Sequence, residues 1–218
     1  MHERRTDHTA TRLLDGRVLV SGGSDTFRAV DSAELYQPGT TSFRPTRGAP
    51  IEPTYGHAAA RLLDGRVLLT GGRLTSDRPT DRGSLFDPTS ETFDSGPCLE
   101  GADERLAAFA SPDGSAVLCG GWPVAAIARW DGQTITRLGS CALCASVALP
   151  RGVVVLFDSE GGIHEVDRDG LRRVGDAGVS SSVEARANGL PDGSVLLTGS
   201  LFAGVEAVDA VVCLVRRL

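Results

Sequence analysis

The sequence predicts an all-β chain folded as a five-bladed β-propeller of four-stranded antiparallel blades. Three observations carry that prediction. A motif returns five times in a fixed internal register, each copy holds four short apolar runs, and no segment shows a helical period. Gly and Pro, 27 and 11 among 218 residues, punctuate the chain too often for helices of useful length.

The repeat is plainest in its first two copies. His8-Thr-Ala-Thr-Arg-Leu-Leu-Asp-Gly-Arg-Val-Leu-Val-Ser-Gly-Gly23 returns as His57-Ala-Ala-Ala-Arg-Leu-Leu-Asp-Gly-Arg-Val-Leu-Leu-Thr-Gly-Gly72. Looser copies run over Leu106–Gly121, Leu149–Ser159 and Leu190–Ser200. The anchor glycines Gly16, Gly65, Gly114, Gly152 and Gly193 are 49, 49, 38 and 41 residues apart. Six residues after each anchor stand Gly22, Gly71, Gly120, Asp158 and Gly199. The register inside a copy is therefore constant and only the connections vary. Five units in 218 residues give about 44 residues each, a propeller-blade length.

Each unit divides into strands in the same order. The first ends at an Asp-Gly turn, read as a tight two-residue hairpin. The second is apolar at consecutive positions, as in Val18-Leu19-Val20 or Val195-Leu196-Leu197, which predicts burial on both faces. The third ends at Tyr36, Phe86, Trp130, Val166 and Val208, each followed by a polar turn. The fourth carries Phe43, Phe93, Ile135, Leu171 and the Val211–Val215 run. The blades are placed at 8–45, 57–94, 105–138, 141–174 and 183–216, in one domain over 1–218. Ala10, Ala59, Ala108, Ser146 and Ala187 share one first-strand position, small enough to crowd a central axis. Arg12 and Arg61 follow on the same face and are expected to line the channel.

The His-Thr-Ala-Thr-x-Leu-Leu-Asp-Gly-Arg-Val-Leu-Val-x-Gly-Gly block, with Ala33-Glu34-Leu35-Tyr36-Gln37-Pro38 and Phe43 behind it, closely resembles the bacterial Kelch repeat. Kelch-like repeats also build the propeller of galactose oxidase. The resemblance implies four-stranded blades whose Gly-Gly pair ends the second strand. It also implies binding surfaces on the second-to-third-strand loops and on the connections between blades. Family members commonly have six or seven blades, and this chain supplies five. Copy one starts at its first strand and copy five ends at its fourth, so no shared closing strand is expected. WD40 repeats are set aside, because Trp130-Asp131 stands alone without a Gly-His partner.

Composition narrows the rest. The net charge of -6 lacks the basic footprint of a nucleic-acid binder. No run of 18 apolar residues is present, and Met1–His8 does not read as a secretory signal. All 22 basic residues are Arg, Asn188 is the one Asn, and the bias suggests a high-GC bacterial gene. Cys98, Cys119, Cys141, Cys144 and Cys213 are read as reduced, mostly buried thiols, which leans cytoplasmic. Cys141-Ala-Leu-Cys144 lacks the second pair a zinc site would need and is placed on a strand.

His8 and His57 occupy equivalent positions and are read first as repeat framework. An enzyme with a site at the channel mouth would use them. Asp15, Asp64, Asp113 and Asp192 read as turn residues, not acids. No nucleophile elbow, phosphate loop or His-Glu-x-x-His is present, and Tyr36 and Tyr55 match no copper motif. No cofactor or metal is called for. The long polar loops 24–32 and 73–83, with the segments 46–56 and 95–105, are the expected binding rim. Asp25, Arg28, Arg73, Asp77, Arg78, Arg82 and Trp122 are its candidate contacts. The reading is a non-enzymatic binding module and interaction scaffold, monomeric, that takes a protein or small ligand on one rim. A sub-array that assembles through its end blades is the remaining alternative.

Overall fold

The computed structural model describes residues 1–26, 28–100, 106–121, 125–149, 152–178, 180–192, 194–203 and 206–213. They form five antiparallel meanders. The first holds β1 (Thr9–Arg12), β2 (Val18–Ser21), β3 (Ala33–Gln37) and β4 (Ser42–Pro45); the second β5 (Ala58–Arg61), β6 (Val67–Thr70), β7 (Gly83–Asp87) and β8 (Thr92–Ser95). The third holds β9 (Ala107–Ala110), β10 (Ala116–Gly120), β11 (Ala125–Trp130) and β12 (Ile135–Cys141); the fourth β13 (Leu143–Ala148), β14 (Val154–Asp158), β15 (Gly162–Asp167) and β16 (Gly170–Asp176). The fifth has β17 (Ser180–Gly189), β18 (Val195–Ala203) and β19 (Glu206–Cys213). The chain divides into two compact units, Met1–Trp122 with Ala126–Arg137, and Pro123–Ala125 with Leu138–Leu218. No helix among the described residues is long and apolar enough to cross a membrane.

The register repeats residue for residue. Ala10, Ala59, Ala108, Ser146 and Ala187 pair with Val20, Leu69, Leu118, Leu156 and Leu197, always the fourth residue after the anchor glycine. The first strands β1, β5 and β9 lie side by side in one unit, and β13 and β17 in the other.

Consecutive apolar residues in the second strand have a direct cause. Val67 and Leu69 pack with Leu19 and Leu35 of the first sheet, while Leu68 between them packs with Leu118 and Trp130 of the third. Alternate side chains thus serve opposite neighbours. Leu68 and Val67 are wholly buried, a position that contributes about 1.5–3 kcal/mol per side chain.

Two details differ from the sequence reading. The Asp-Gly hairpins have three-residue loops, not two. Leu13 N donates to Arg17 O (2.8 Å), Gly16 N to Leu13 O (3.2 Å), and of the pair only Gly16 has positive φ, at 89°. Asp15 uses its carboxylate instead, accepting from Arg17 N at 3.0 Å. This is a type I turn closed by a glycine bulge. In the fifth sheet, Val208 does not end the third strand. β19 continues to Cys213, which faces Val195 where Tyr36 faces Val18 in the first sheet. Ser200 replaces the second glycine there, so β18 runs on to Ala203 with an irregularity between Thr198 and Leu201. Most of the Val211–Val215 run therefore belongs to the third strand, and 214–218 lie outside the described residues.

The first two sheets are stapled by one carboxylate. Glu91, in the β7–β8 turn, accepts from Arg17 Nη1 (2.6 Å) and from Arg44 Nη1 (2.6 Å), while Arg17 Nη2 reaches Pro88 O (2.9 Å). Glu91 adopts φ 61°, a conformation that costs a residue with a side chain of order 1 kcal/mol. The guanidinium of Arg44, then that of Arg17, holds its carboxyl down at about 2, below the usual 4.5. Glu91→Gln should lower stability by about 2 kcal/mol, read as an earlier urea midpoint at unchanged slope. In the native chain this contribution is full above pH 4.5 and drains as pH falls toward 2, because the unfolded carboxyl binds its proton first. The variant should lack that slope.

Candidate functional site

The loops at the second-to-third-strand end of the first unit converge as the sequence suggested. Ahead of each first strand a short strap pairs with the start of the next loop of its own blade: Thr6 with Ser24, and Tyr55 with Arg73. Ala29 N donates to Thr75 Oγ1 at 3.0 Å, which joins loops 24–32 and 73–83 directly. Leu99 N donates to Asp81 O at 3.1 Å, bringing in the segment after β8. Of the segment 95–105, residues 101–105 lie outside the described residues, as does Trp122.

The charged residues of the rim divide by occupation. Arg73 Nη1 donates to Asp77 O (2.6 Å) and Asp77 Oδ1 (3.1 Å), and Tyr55 Oη donates to the same oxygen at 2.6 Å. This internal network holds Asp77 at φ 59°. Tyr55 and then Arg73 push its carboxyl below the ordinary range, and Asp77 pushes the Tyr55 phenol above its own. Arg73 and Asp77 therefore shape the loop. Arg78 and Arg82 are exposed, with Arg82 Nη1 3.6 Å from Glu52 Oε1. Asp25 accepts from Arg28 N at 2.9 Å, and both line a cleft of about 300 Å³ with Glu3, Arg4, Val30 and Asp31. Arg12 and Arg61, expected at the channel, are exposed, and Arg61 Nη1 donates to Arg12 O at 3.0 Å.

Sequence reasoning missed what orients the strap. Arg5 is buried, its Nη1 donating to Gly22 O (2.8 Å) and Ser32 O (3.0 Å) and its Nη2 to Ser32 Oγ (2.9 Å) and Glu34 Oε1 (3.1 Å). Glu34, also buried, accepts from His2 N at 2.8 Å and His2 Nδ1 at 3.0 Å. Burial alone would raise its carboxyl, yet these bonds outweigh burial and hold it low. The counterparts in the second blade are Thr54 and Ser84, so no repeat pattern marked the pair. The one available signal was Glu34, a charge between the apolar residues Ala33 and Leu35.

His57 is engaged within the fold. His57 is buried, bonds Thr9 Oγ1 through Nε2 at 2.8 Å, and lies against Gly22. Burial, with repulsion from His8, pulls its imidazole from 6.5 to about 4. Among the described residues no three His, Cys, Asp or Glu side chains gather as a metal site. The thiols differ from expectation at Cys98, which is exposed; burial of its thiol, then a bond to Asp81, raises it to about 11. Cys141 is buried but ends β12, while Cys144 stands in β13, so the Cys-x-x-Cys spans two sheets instead of one strand.

No family model and no curated protein matches the sequence. Among solved structures the chain is similar to that of YjhT, at TM-score 0.64 and 13% identity, over 97% of this chain and 82% of that one. It is also similar to a fungal alcohol oxidase of the AA5 family, solved in complex with copper. That likeness has TM-score 0.70 and 15% identity over 90% of this chain and 47% of the oxidase. The fold is a Kelch-like β-propeller. The chain spans about half the length of the oxidase, and at these identities the likeness concerns the fold alone.

The neutral His57 has a measurable consequence. The unfolded imidazole binds a proton near 6.5 and the folded one only near 4, so stability is full above pH 6.5 and falls as pH drops through that window. His57→Gln, which can still bond Thr9, should flatten the dependence of Tm on pH between 6.5 and 4. An unchanged slope would place the titrating group elsewhere.

Proposed function

We propose that the chain is a non-enzymatic binding module that recognises its partner through the loops of its first two blades. The observation that carries this reading is the Ala29–Thr75 bond, which joins two long polar loops into one surface beside a 300 Å³ cleft. The Tyr55–Asp77–Arg73 network stiffens that surface before any partner arrives, which reduces the ordering cost of binding. Arg78 and Arg82 stand outward on it, and arginine is a frequent interface anchor.

Among the described residues no three His, Cys, Asp or Glu side chains gather that could take the copper named for the AA5 oxidase. Tyr36 packs its ring on Phe43 at 5.0 Å, Tyr55 is bonded to Asp77, and His57 is committed to Thr9.

The test is a capture experiment with the immobilised chain, two double variants and a dissociation constant for whatever is retained. Arg78→Ala with Arg82→Ala should weaken the partner about tenfold or more and leave Tm unchanged. Arg137→Ala with Arg168→Ala, both exposed and outside these loops, should leave affinity and Tm alike unchanged. A partner indifferent to the first pair, or lost with the second, overturns the reading. So does a chain that retains neither a protein nor a small molecule.

A further inference from the structure

The cleft beside the first loop carries two opposite charges that the fold leaves unused. It is lined by the strap residues Glu3 and Arg4 and by described residues of the first loop, among them Asp31 and Val30. Arg5 points inward to Gly22 O and Ser32, so Arg4, the next residue of the strap, is directed outward and lines the cleft. Glu3 is not available to Arg4. Its Oε2 accepts from Ser32 Oγ at 2.6 Å and lies 3.6 Å from Arg5 Nη2. Asp25 is engaged with the Arg28 backbone at 2.9 Å and its Nε at 4.0 Å. Arg4 and Asp31 remain. Both are exposed, both line the cleft, and among the described residues they form no ion pair with each other.

We propose that this cleft binds a small zwitterion, a free α-amino acid, with its carboxylate on Arg4 and its ammonium on Asp31. The assignment rests on the binding-module reading and names its ligand class. A guanidinium takes a carboxylate through two parallel hydrogen bonds, and an ionised Asp accepts from an ammonium. One spare charge of each sign lining the same cleft fits a ligand with both charges better than a simple anion or cation. The volume of about 300 Å³ stands at the lower end of ligand pockets.

Titration calorimetry of the intact chain tests this, with L-alanine as first probe and the other free amino acids after it. At least one should bind with a dissociation constant of about a millimolar or tighter. N-acetyl-L-alanine and L-alanine methyl ester, each missing one charge, should bind about tenfold or more weakly than L-alanine, or the matching derivatives if another amino acid binds best. Arg4→Gln and Asp31→Asn should each cause a similar loss at unchanged Tm, Arg4→Lys a smaller one, and exposed Arg137→Ala none. The proposal is overturned if no free amino acid binds at tens of millimolar, or if blocked and free forms bind alike. A protein partner still lost on Arg78→Ala with Arg82→Ala would then keep the module reading standing without this ligand.

Discussion

The close approach of backbones at the paired glycines governs how the first blades join. A Cβ on Gly22 would stand 2.4 Å from Thr54 O, and one on Gly23 would stand 2.5 Å from Thr6 O. The strap of the first blade and the strap of the second therefore both rest on one dipeptide. Gly23 N donates to Thr54 O at 2.9 Å, and Gly56 N answers with a bond to Asp7 O at 2.9 Å. Both glycines take positive φ, 57° and 92°, so neither space nor dihedral admits a side chain. The loops follow from this. Val30 N returns to Gly23 O and Thr80 N to Gly72 O, so the glycine pair is also the point from which each long loop leaves and to which it returns. Asp158-Ser159 stands in the same place in the fourth copy. There the carboxylate of Asp158 does the turning work, accepting from Gly162 N at 2.7 Å and His164 Nε2 at 2.7 Å.

Within that frame the first two blades have diverged at one internal position. In the first, Arg5 and Glu34 fill the space under the strap as a buried ion pair. In the second, Thr54 and Ser84 leave a cavity of about 10 Å³ lined also by Thr70 and Gly71. That is about one water molecule in size. In the first blade the buried charge is neutralised by pairing, as the cost of an unpaired buried charge requires, while in the second the two charges that line the cavity, Glu52 and Arg82, are not buried. Only the charged version directs a strap residue outward beside the 300 Å³ cleft, which ties the site to the one blade that carries the pair.

The fold was legible because its determinants recur. Anchor glycines at constant offset set the register, and consecutive apolar residues announced strands with a neighbour on either face. Ala10 and its four counterparts proved equivalent in pairing as well as in sequence. The fifth copy was misread where the recurrence weakens, since one Ser in place of Gly let β18 and β19 lengthen. The residues that join and orient blades were not legible. Arg5, Glu34 and Glu91 each occur once, and a search for repetition passes over such residues by construction.

The candidate site shows the same limit at the level of single charges. Loop 73–83 drew attention by its density of Arg and Asp, yet Arg73 and Asp77 spend their charges on each other and on Tyr55. Arg4, in the strap, and Asp31, at the end of the first loop, looked unremarkable in the sequence and stay exposed in the fold. Charge density along a chain counts groups before pairing. Binding depends on what is left afterwards, and that difference is set by the direction of a side chain such as Arg5, which the linear sequence does not state. In this repeat protein the shared positions build a frame that tolerates different loops, and among the described residues unpaired charge is found where one blade departs from its neighbour, as at Arg4 and Asp31.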